Sequence, residues 1–147
     1  MALLCRFAIV AGMLNALQSG ANVSLSKTLQ QPFLAALVVV ALSATSLAVA
    51  GLVSGRLGWP QAGAWGSVPW WGWIGGAFGA TLVMSQLLVA QQIGAGPYMG
   101  LVVTSGVLMS LALDHFGWMG FKEHAINAWR AAGAVLMIAG VTLIARS

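Results

Sequence analysis

The stretch FLAALVVVAL, residues 33–42, decides the fold of this chain, because ten consecutive positions carry apolar side chains. The apolar run continues to Val53 with only small hydroxyl side chains and one glycine as interruptions. A run of about 20 such residues can cross the roughly 30 Å hydrocarbon layer as an α-helix. A barrel strand would instead alternate polar and apolar residues over about ten positions. The stretch therefore predicts a membrane-spanning helix.

The whole composition agrees with lipid as the solvent. Hydrophobic residues make up 60% of the 147 positions and charged residues 5%, whereas soluble domains have about 25% charged residues. We predict an all-α integral membrane protein with one transmembrane domain. Its five spans are expected at residues 7–23, 33–53, 70–89, 93–113 and 131–145. A cleaved signal peptide is the alternative interpretation of the first span, since Arg6 precedes an apolar stretch and small residues follow it.

The charges flank the predicted spans singly, and they sum to a formal net charge of +4. No basic cluster forms, so a nucleic-acid partner is not supported. If the N-terminus is cytoplasmic, four cations lie inside and two outside, which is a weak positive-inside bias. The inside set is Arg6, Arg56, Lys122 and Arg130, and the outside set is Lys27 and Arg146. Fixed and dual orientations are both compatible with that count.

Seven tryptophans lie in or beside the two longer connections, which follow spans two and four. They are Trp59, Trp65, Trp70, Trp71, Trp73, Trp118 and Trp129. Indole rings favour the headgroup region, where the ring is buried and its N–H reaches a polar partner. This distribution predicts an interfacial belt, and a tryptophan-lined ligand cage is the alternative.

Small residues recur at helical spacing in spans one and three. Lipid chains are as apolar as leucine, so membrane helices associate through close packing, which small residues allow. We predict helix-packing roles for Gly12, Gly20, Gly72, Gly75, Gly76 and Gly79. The sequence Gly94-Ala95-Gly96-Pro97 predicts a tight turn, or else a helix break of the kind that marks substrate sites in transporters.

One face of the first span is polar. At 100° per residue, Asn15, Gln18, Ser19, Asn22 and Ser26 fall within an arc of roughly 100°. Buried amides need partners, either another helix or a solute in a pathway. We take Asn15, Gln18 and Asn22 as substrate-pathway candidates, with hydrogen bonding between helices as the alternative.

Asp114 and His115 place an ionisable pair at the end of span four. Such a pair can couple proton binding to conformational change or act as a gate. An interfacial carboxylate paired with Arg130 or Lys122 is the competing interpretation. A metal or hydrolase site using Glu123 and His124 as well is disfavoured, because the chain has no HExxH motif, paired cysteines or nucleophile elbow. We therefore expect no metal, no cofactor and no enzymatic activity.

Several motifs occur together along the chain. They are Gln18 with Asn22, Pro69-Trp70-Trp71 before Gly75-Gly76 and Gly79-Ala80, Ser110 before Asp114-His115-Phe116-Gly117, and Arg130 before Gly133 and Gly140. Together they resemble the small five-helix branch of the drug/metabolite transporter superfamily, the YdcZ-like membrane proteins. The chain departs from that pattern at Gly106-Val107, where many relatives have glutamine after the glycine, and around residues 43–46, where an aromatic residue and a glycine are expected.

The resemblance implies a ten-helix transporter of two inverted repeats, with this chain as one half. A second copy or a paralogous five-helix chain would supply the other half. We therefore expect an inner-membrane subunit that moves a small molecule by alternating access as an antiparallel homodimer or heterodimer in the lipid bilayer. Spans one to three contain no Asp or Glu, so the mid-membrane acid of small multidrug exporters is absent. A non-transporting accessory or assembly subunit is the alternative.

Overall fold

The computed structural model describes residues 2–61 and 63–146, and every regular element within these residues is helical. Five of the helices are long and apolar enough to cross a membrane. They are α1 (Ala2–Leu29), α2 (Pro32–Val53), α3 (Trp70–Ile93), α4 (Ala95–Phe116) and α5 (Ala128–Arg146). Short 3₁₀ turns at Trp65–Ser67 and Trp118–Gly120 lie in the two longer connections. The predicted all-helical, five-span class is confirmed.

The helix ends follow local backbone chemistry. Gln30 adopts a left-handed φ of 53°, which ends α1, and Pro32 occupies the first turn of α2, where no N–H group is needed. Gly94 has a φ of 89°, which glycine adopts without a Cβ clash. Gly94 alone separates α3 from α4. The turn or helix break predicted at Gly94-Ala95-Gly96-Pro97 is therefore a junction of one residue.

Each observed helix extends past the predicted span at one end or both. The predicted fourth span began at residue 93, whereas α3 continues through Ile93 and α4 begins at Ala95. At its other end α4 reaches Phe116, because Gly117 provides a left-handed C-cap with a φ of 61°. Hydropathy alone marks the apolar middle of a helix and misses polar end turns such as Asp114-His115.

Helix α3 changes its winding near its end. It is α-helical over Trp70–Ser85, widens into a π turn over Gln86–Ala90 and finishes as α-helix over Gln91–Ile93. A π turn inserts one extra residue and often occurs at functional sites. Gln86, the first residue of this π turn, is therefore a candidate functional residue.

The chain divides into two compact units, Met1–Leu88 and Val89–Ser147. In the first unit, α2 packs against both α1 and α3. The buried apolar residues of this unit are Ala35, Val39 and Leu87. Four polar side chains are buried beside them: Ser19, Asn22, Ser26 and Gln86. The buried residues of this unit are therefore polar at least as often as they are apolar.

In the second unit, α4 packs along α5. The two helices approach each other closely at Gly100, where an added Cβ would lie 2.5 Å from Cγ2 of Val141. Tyr98 and Thr104 are buried on α4 and Val141 is buried on α5. The absence of a side chain at Gly100 thus sets the separation of these two helices.

Among the described residues, none of the six glycines predicted to mediate packing lies close to another helix. A Cβ added at Gly12, Gly20, Gly75, Gly76 or Gly79 would meet no atom within 4 Å, and one at Gly72 would meet only Val68, in the segment just before α3. Most apolar side chains of the five helices are likewise exposed in the single chain. In a membrane protein such faces contact lipid or a second chain, and the packing role of these glycines stays a prediction for that contact.

Candidate functional site

Three carboxamide side chains meet inside the first unit. Nδ2 of Asn22 donates to Oε1 of Gln86 at 2.8 Å. Nε2 of Gln86 in turn donates to Oδ1 of Asn15 at 3.3 Å. Asn22 is 5% exposed and Gln86 is 3% exposed, so the bond between them is buried, whereas Asn15 is half-buried and its bond to Gln86 is partly exposed. We call these three residues the amide cluster.

Helical geometry explains how the cluster forms. Asn15 and Asn22 are seven residues apart, which is nearly two turns of α1, so both side chains lie on one face. Gln86 lies between them on the partner helix, at the first position of the π turn. One side chain therefore bridges two turns of α1, acting as acceptor toward one amide and donor toward the other.

Ser19 lies on the same face of α1 between the two asparagines. Its side chain is fully buried, and its Oγ makes no hydrogen bond to any residue that the structure describes. A buried hydroxyl without a partner costs free energy. The site thus retains unused hydrogen-bonding capacity next to the amide cluster.

A groove between α1 and α2 reaches the cluster at Asn22. Its volume is about 370 Å³, which falls within the range of small-molecule pockets. It is lined by Gln18, Ala21, Asn22 and Leu25 of α1 and by Val39, Leu42, Ser43 and Ser46 of α2. We call it the α1–α2 groove. Ser43 and Ser46 donate to backbone carbonyls of their own helix, which leaves each hydroxyl oxygen able to accept a hydrogen bond.

The structure therefore separates the three predicted pathway residues. Asn15 and Asn22 belong to the amide cluster, while Gln18 is exposed and lines the groove. Within residues 2–61 and 63–146, no hydrogen bond of the Gln18 side chain occurs. Sequence reasoning missed Gln86. The available signal was one glutamine within the apolar run TLVMSQLLVA, residues 81–90.

The predicted Asp114 and His115 site lies in the second unit. Oδ2 of Asp114 accepts from Nη1 of Arg130 at 3.4 Å, with the two side chains 31% and 33% exposed. Arg130 also donates to the carbonyl oxygen of His124 at 3.2 Å. The structure contains the ion pair that the competing interpretation named, with Arg130 as the partner, and this pair joins the end of α4 to the start of α5.

The connection between these helices folds back onto the end of α4. The backbone N–H of His124 donates to the carbonyl of Asp114 at 2.7 Å. The N–H of Ile126 donates to Nδ1 of His115 at 3.3 Å. We call residues 117–127 the strap. Although Asp114, His115, Glu123 and His124 are close in sequence, no group of three or more potential metal ligands occurs in the part of the chain that the structure describes.

Comparison with known proteins places these features in a family. Residues 3–143 match the family model described as "Putative inner membrane exporter, YdcZ". The chain belongs to the YdcZ family. It is also similar to the inner membrane protein YdcZ of Escherichia coli (strain K12), with 32% identity over 80 residues. The aligned part covers 54% of this chain and 53% of that relative. No solved structure matches the chain significantly.

Membership of the YdcZ family confirms the resemblance found in the sequence. The YdcZ-family chain is a multi-pass inner-membrane protein, and its family is of the transporter type, which is a non-enzymatic kind of function. The matched region includes both the amide cluster and the Asp114–Arg130 pair. The aligned portion spans about half the length of the curated YdcZ relative.

Proposed function

We propose that this YdcZ-family chain is one half of a transporter that moves a small solute by alternating access across the inner membrane. The observation that carries the proposal is the amide cluster with its groove. Two buried carboxamides, Asn22 and Gln86, bond between α1 and α3, and a groove that Gln18 lines leads to Asn22. Buried polar groups in a membrane domain are costly, and they commonly mark a solute pathway.

The second half would be another five-helix chain, either a copy of this one or a paralogue, in the opposite orientation. The exposed glycine faces of α1 and α3 support this arrangement, because glycines that contact no other helix among the described residues allow close approach of a helix from a second chain. The weak charge bias is compatible with insertion in both orientations.

Asp114 and Arg130 fit the role of a gate at one membrane face. Their ion pair, together with the strap, ties α4 to α5, and opening that face would require the pair to separate. Partly exposed pairs contribute about 1 kcal/mol or less, which is small enough to break and re-form during a transport cycle. His115 joins this gate through its bond to the strap.

A non-transporting accessory subunit is the second candidate. Asn15 and Asn22 each bond to Gln86 within the chain, and this mutual satisfaction is what a purely structural amide network would show. Gln18 separates the two candidates, because its side chain lines the groove and takes no part in that network.

The test uses purified protein in liposomes loaded with a bacterial metabolite extract, and mass spectrometry follows which solutes leave. If the chain is a transporter half, liposomes that contain it lose at least one solute faster than protein-free liposomes do. The variant Gln18→Ala should slow that efflux. Gln92→Ala, at an exposed glutamine of α3, is the matched control and should match the wild type. Release no faster than from protein-free liposomes would favour the accessory subunit.

A further inference from the structure

The amide cluster lies among helices that carry almost no charge. Helices α2 and α3 contain no charged side chain, and the charged side chains of α1 are Arg6 and Lys27, both exposed. Lys27 is five residues beyond Asn22, more than one helical turn away. A charged solute that reached the cluster would therefore lose its hydration without gaining a countercharge, which is strongly unfavourable.

The cluster can, however, satisfy an uncharged polar solute. Three carboxamides carry six N–H donors in all, and the two bonds within the cluster use one donor of Asn22 and one of Gln86. The buried Oγ of Ser19, which lacks a partner among the described residues, adds a donor and an acceptor beside them. The site is therefore matched to a ligand that offers both a donor and an acceptor.

We propose that Gln86 determines specificity in this pathway, and that the amide cluster binds an uncharged solute with a carboxamide-like donor and acceptor pair. The solute takes over the two bonds that Gln86 makes to Asn15 and Asn22. This inference rests on the proposed function, and it adds the substrate class and a residue that neither the family match nor the sequence analysis assigned.

The π turn explains how Gln86 can exchange partners. A π turn contains one residue more than a regular turn. Moving this extra residue along the helix rotates the neighbouring side chains by about 100° around the axis. Gln86 lies at the first position of the turn, so such a shift would carry its amide away from α1. The exchange requires no break in the helix.

Three pyridines of nearly equal shape provide the probes: nicotinamide is uncharged, nicotinate is an anion and 1-methylnicotinamide is a cation. Flux of each is measured in proteoliposomes with the rate of protein-free liposomes subtracted. Binding is measured separately, from the rise in melting temperature of the purified protein, since a ligand of the native state stabilises it. We expect nicotinamide to exceed both ions by about tenfold or more in flux, and to be the one that raises the melting temperature.

The variant Gln86→Glu introduces a carboxylate at the cluster, and Gln92→Glu makes the same chemical change at an exposed position of α3. We expect Gln86→Glu to lower the nicotinamide rate and raise the ratio of 1-methylnicotinamide to nicotinamide about tenfold, while Gln92→Glu keeps the wild-type ratio. Gln86→Met, similar in length but without an amide, should lose the nicotinamide response. It also serves as the second variant if Gln86→Glu does not fold.

The two readouts distinguish the inference from the function on which it rests. If nicotinamide raises the melting temperature of the wild type but not of Gln86→Met, the proposed binding site is supported. If no probe is transported in the same experiments, the proposed transport function is contradicted. If the ions move as fast as nicotinamide, transport stands and the selectivity inference is overturned. Equal ratios of 1-methylnicotinamide to nicotinamide flux in Gln86→Glu and Gln92→Glu would overturn the role of Gln86. If no probe is transported and no probe stabilises the protein, the inference is overturned.

Discussion

Nδ2 of Asn22 lies 2.8 Å from Oε1 of Gln86, and both side chains are buried although 64 positions separate them in the sequence. In the membrane each amide depends on the other, because lipid offers no replacement partner. We expect Asn22→Ala and Gln86→Ala each to lower the free energy of unfolding by about 1 kcal/mol. Thermal denaturation in detergent, followed by tryptophan fluorescence, measures both.

The double variant tests whether the two losses share one cause. If the bond is the common cause, Asn22→Ala with Gln86→Ala costs less than the sum of the single changes. Gln92→Ala measures how much the free energy of unfolding changes when an exposed glutamine of the same helix is truncated. Strict additivity of the two core changes would show that the bond contributes nothing to stability.

Gly100 provides a second stability test, in the unit formed by α4 and α5. A methyl group there would lie 2.5 Å from Cγ2 of Val141, so we expect Gly100→Ala to destabilise the fold by about 1–3 kcal/mol. Gly106→Ala, in the same helix, meets no atom within 4 Å and should change stability by less than about 1 kcal/mol. Val141→Ala should restore part of the stability of Gly100→Ala, and equal effects at the two glycines would argue against the close approach.

The Asp114–Arg130 pair predicts a coupled effect on stability and gating. Each of Asp114→Asn and Arg130→Gln should lower the melting temperature slightly, with a coupling energy of about 1 kcal/mol or less, since both side chains are about one-third exposed. If the pair closes one face, both variants should also raise solute leak through proteoliposomes. Lys122→Gln, which removes a cation of the strap that forms no ion pair among the described residues, is the control. Unchanged leak in both variants would contradict the gate.

The bond from Ile126 to His115 predicts local protection of the strap. Nδ1 of His115 accepts this bond at 3.3 Å, and phenylalanine offers no acceptor at that position. We expect hydrogen exchange at Ile126 to be faster in His115→Phe than in the wild type when both are measured at the same pH.

Measuring both proteins at one pH keeps the intrinsic exchange rate of the amide the same. Equal exchange at Ile126 in the two proteins would contradict the assignment of His115 as the acceptor.

Orientation in the membrane is the fifth prediction. We expect reporters fused to the C-terminus, one active in the cytoplasm and one outside, both to give signal, because four cations against two is a weak bias. Lys27→Gln removes a cation from one side and Arg56→Gln removes one from the other, so the two variants should shift the reporter ratio in opposite directions. If an antiparallel pair of copies is the working unit, the variant with one dominant orientation should also transport less. One active reporter in the wild type would indicate a paralogous partner.

Much of the fold was predictable because it depends on local composition. Five apolar runs specify five helices, and the prediction at residues 33–53 closely matches α2 at Pro32–Val53. The ends of α4 were less predictable, because the conformations of Gly94 and Gly117, together with polar end turns, decide them rather than hydropathy. The polar face of α1 was visible in the sequence, while its partner Gln86 was not, since no pattern along the chain links positions 64 residues apart.

The sequence by itself determined that this is an integral membrane protein with five apolar helices and that it belongs to a transporter-type family. Hydropathy and motif order are properties of the chain alone. Tertiary structure decided which polar groups meet. It divided the predicted pathway into Asn15 and Asn22, bonded to Gln86, and Gln18, which faces the groove. Among the described residues it also left the predicted packing glycines without contact to another helix, and it placed a close contact between two helices at Gly100. Hydrogen bonds and close packing act over a few ångströms in space, and only the folded arrangement of the helices brings those atoms within reach.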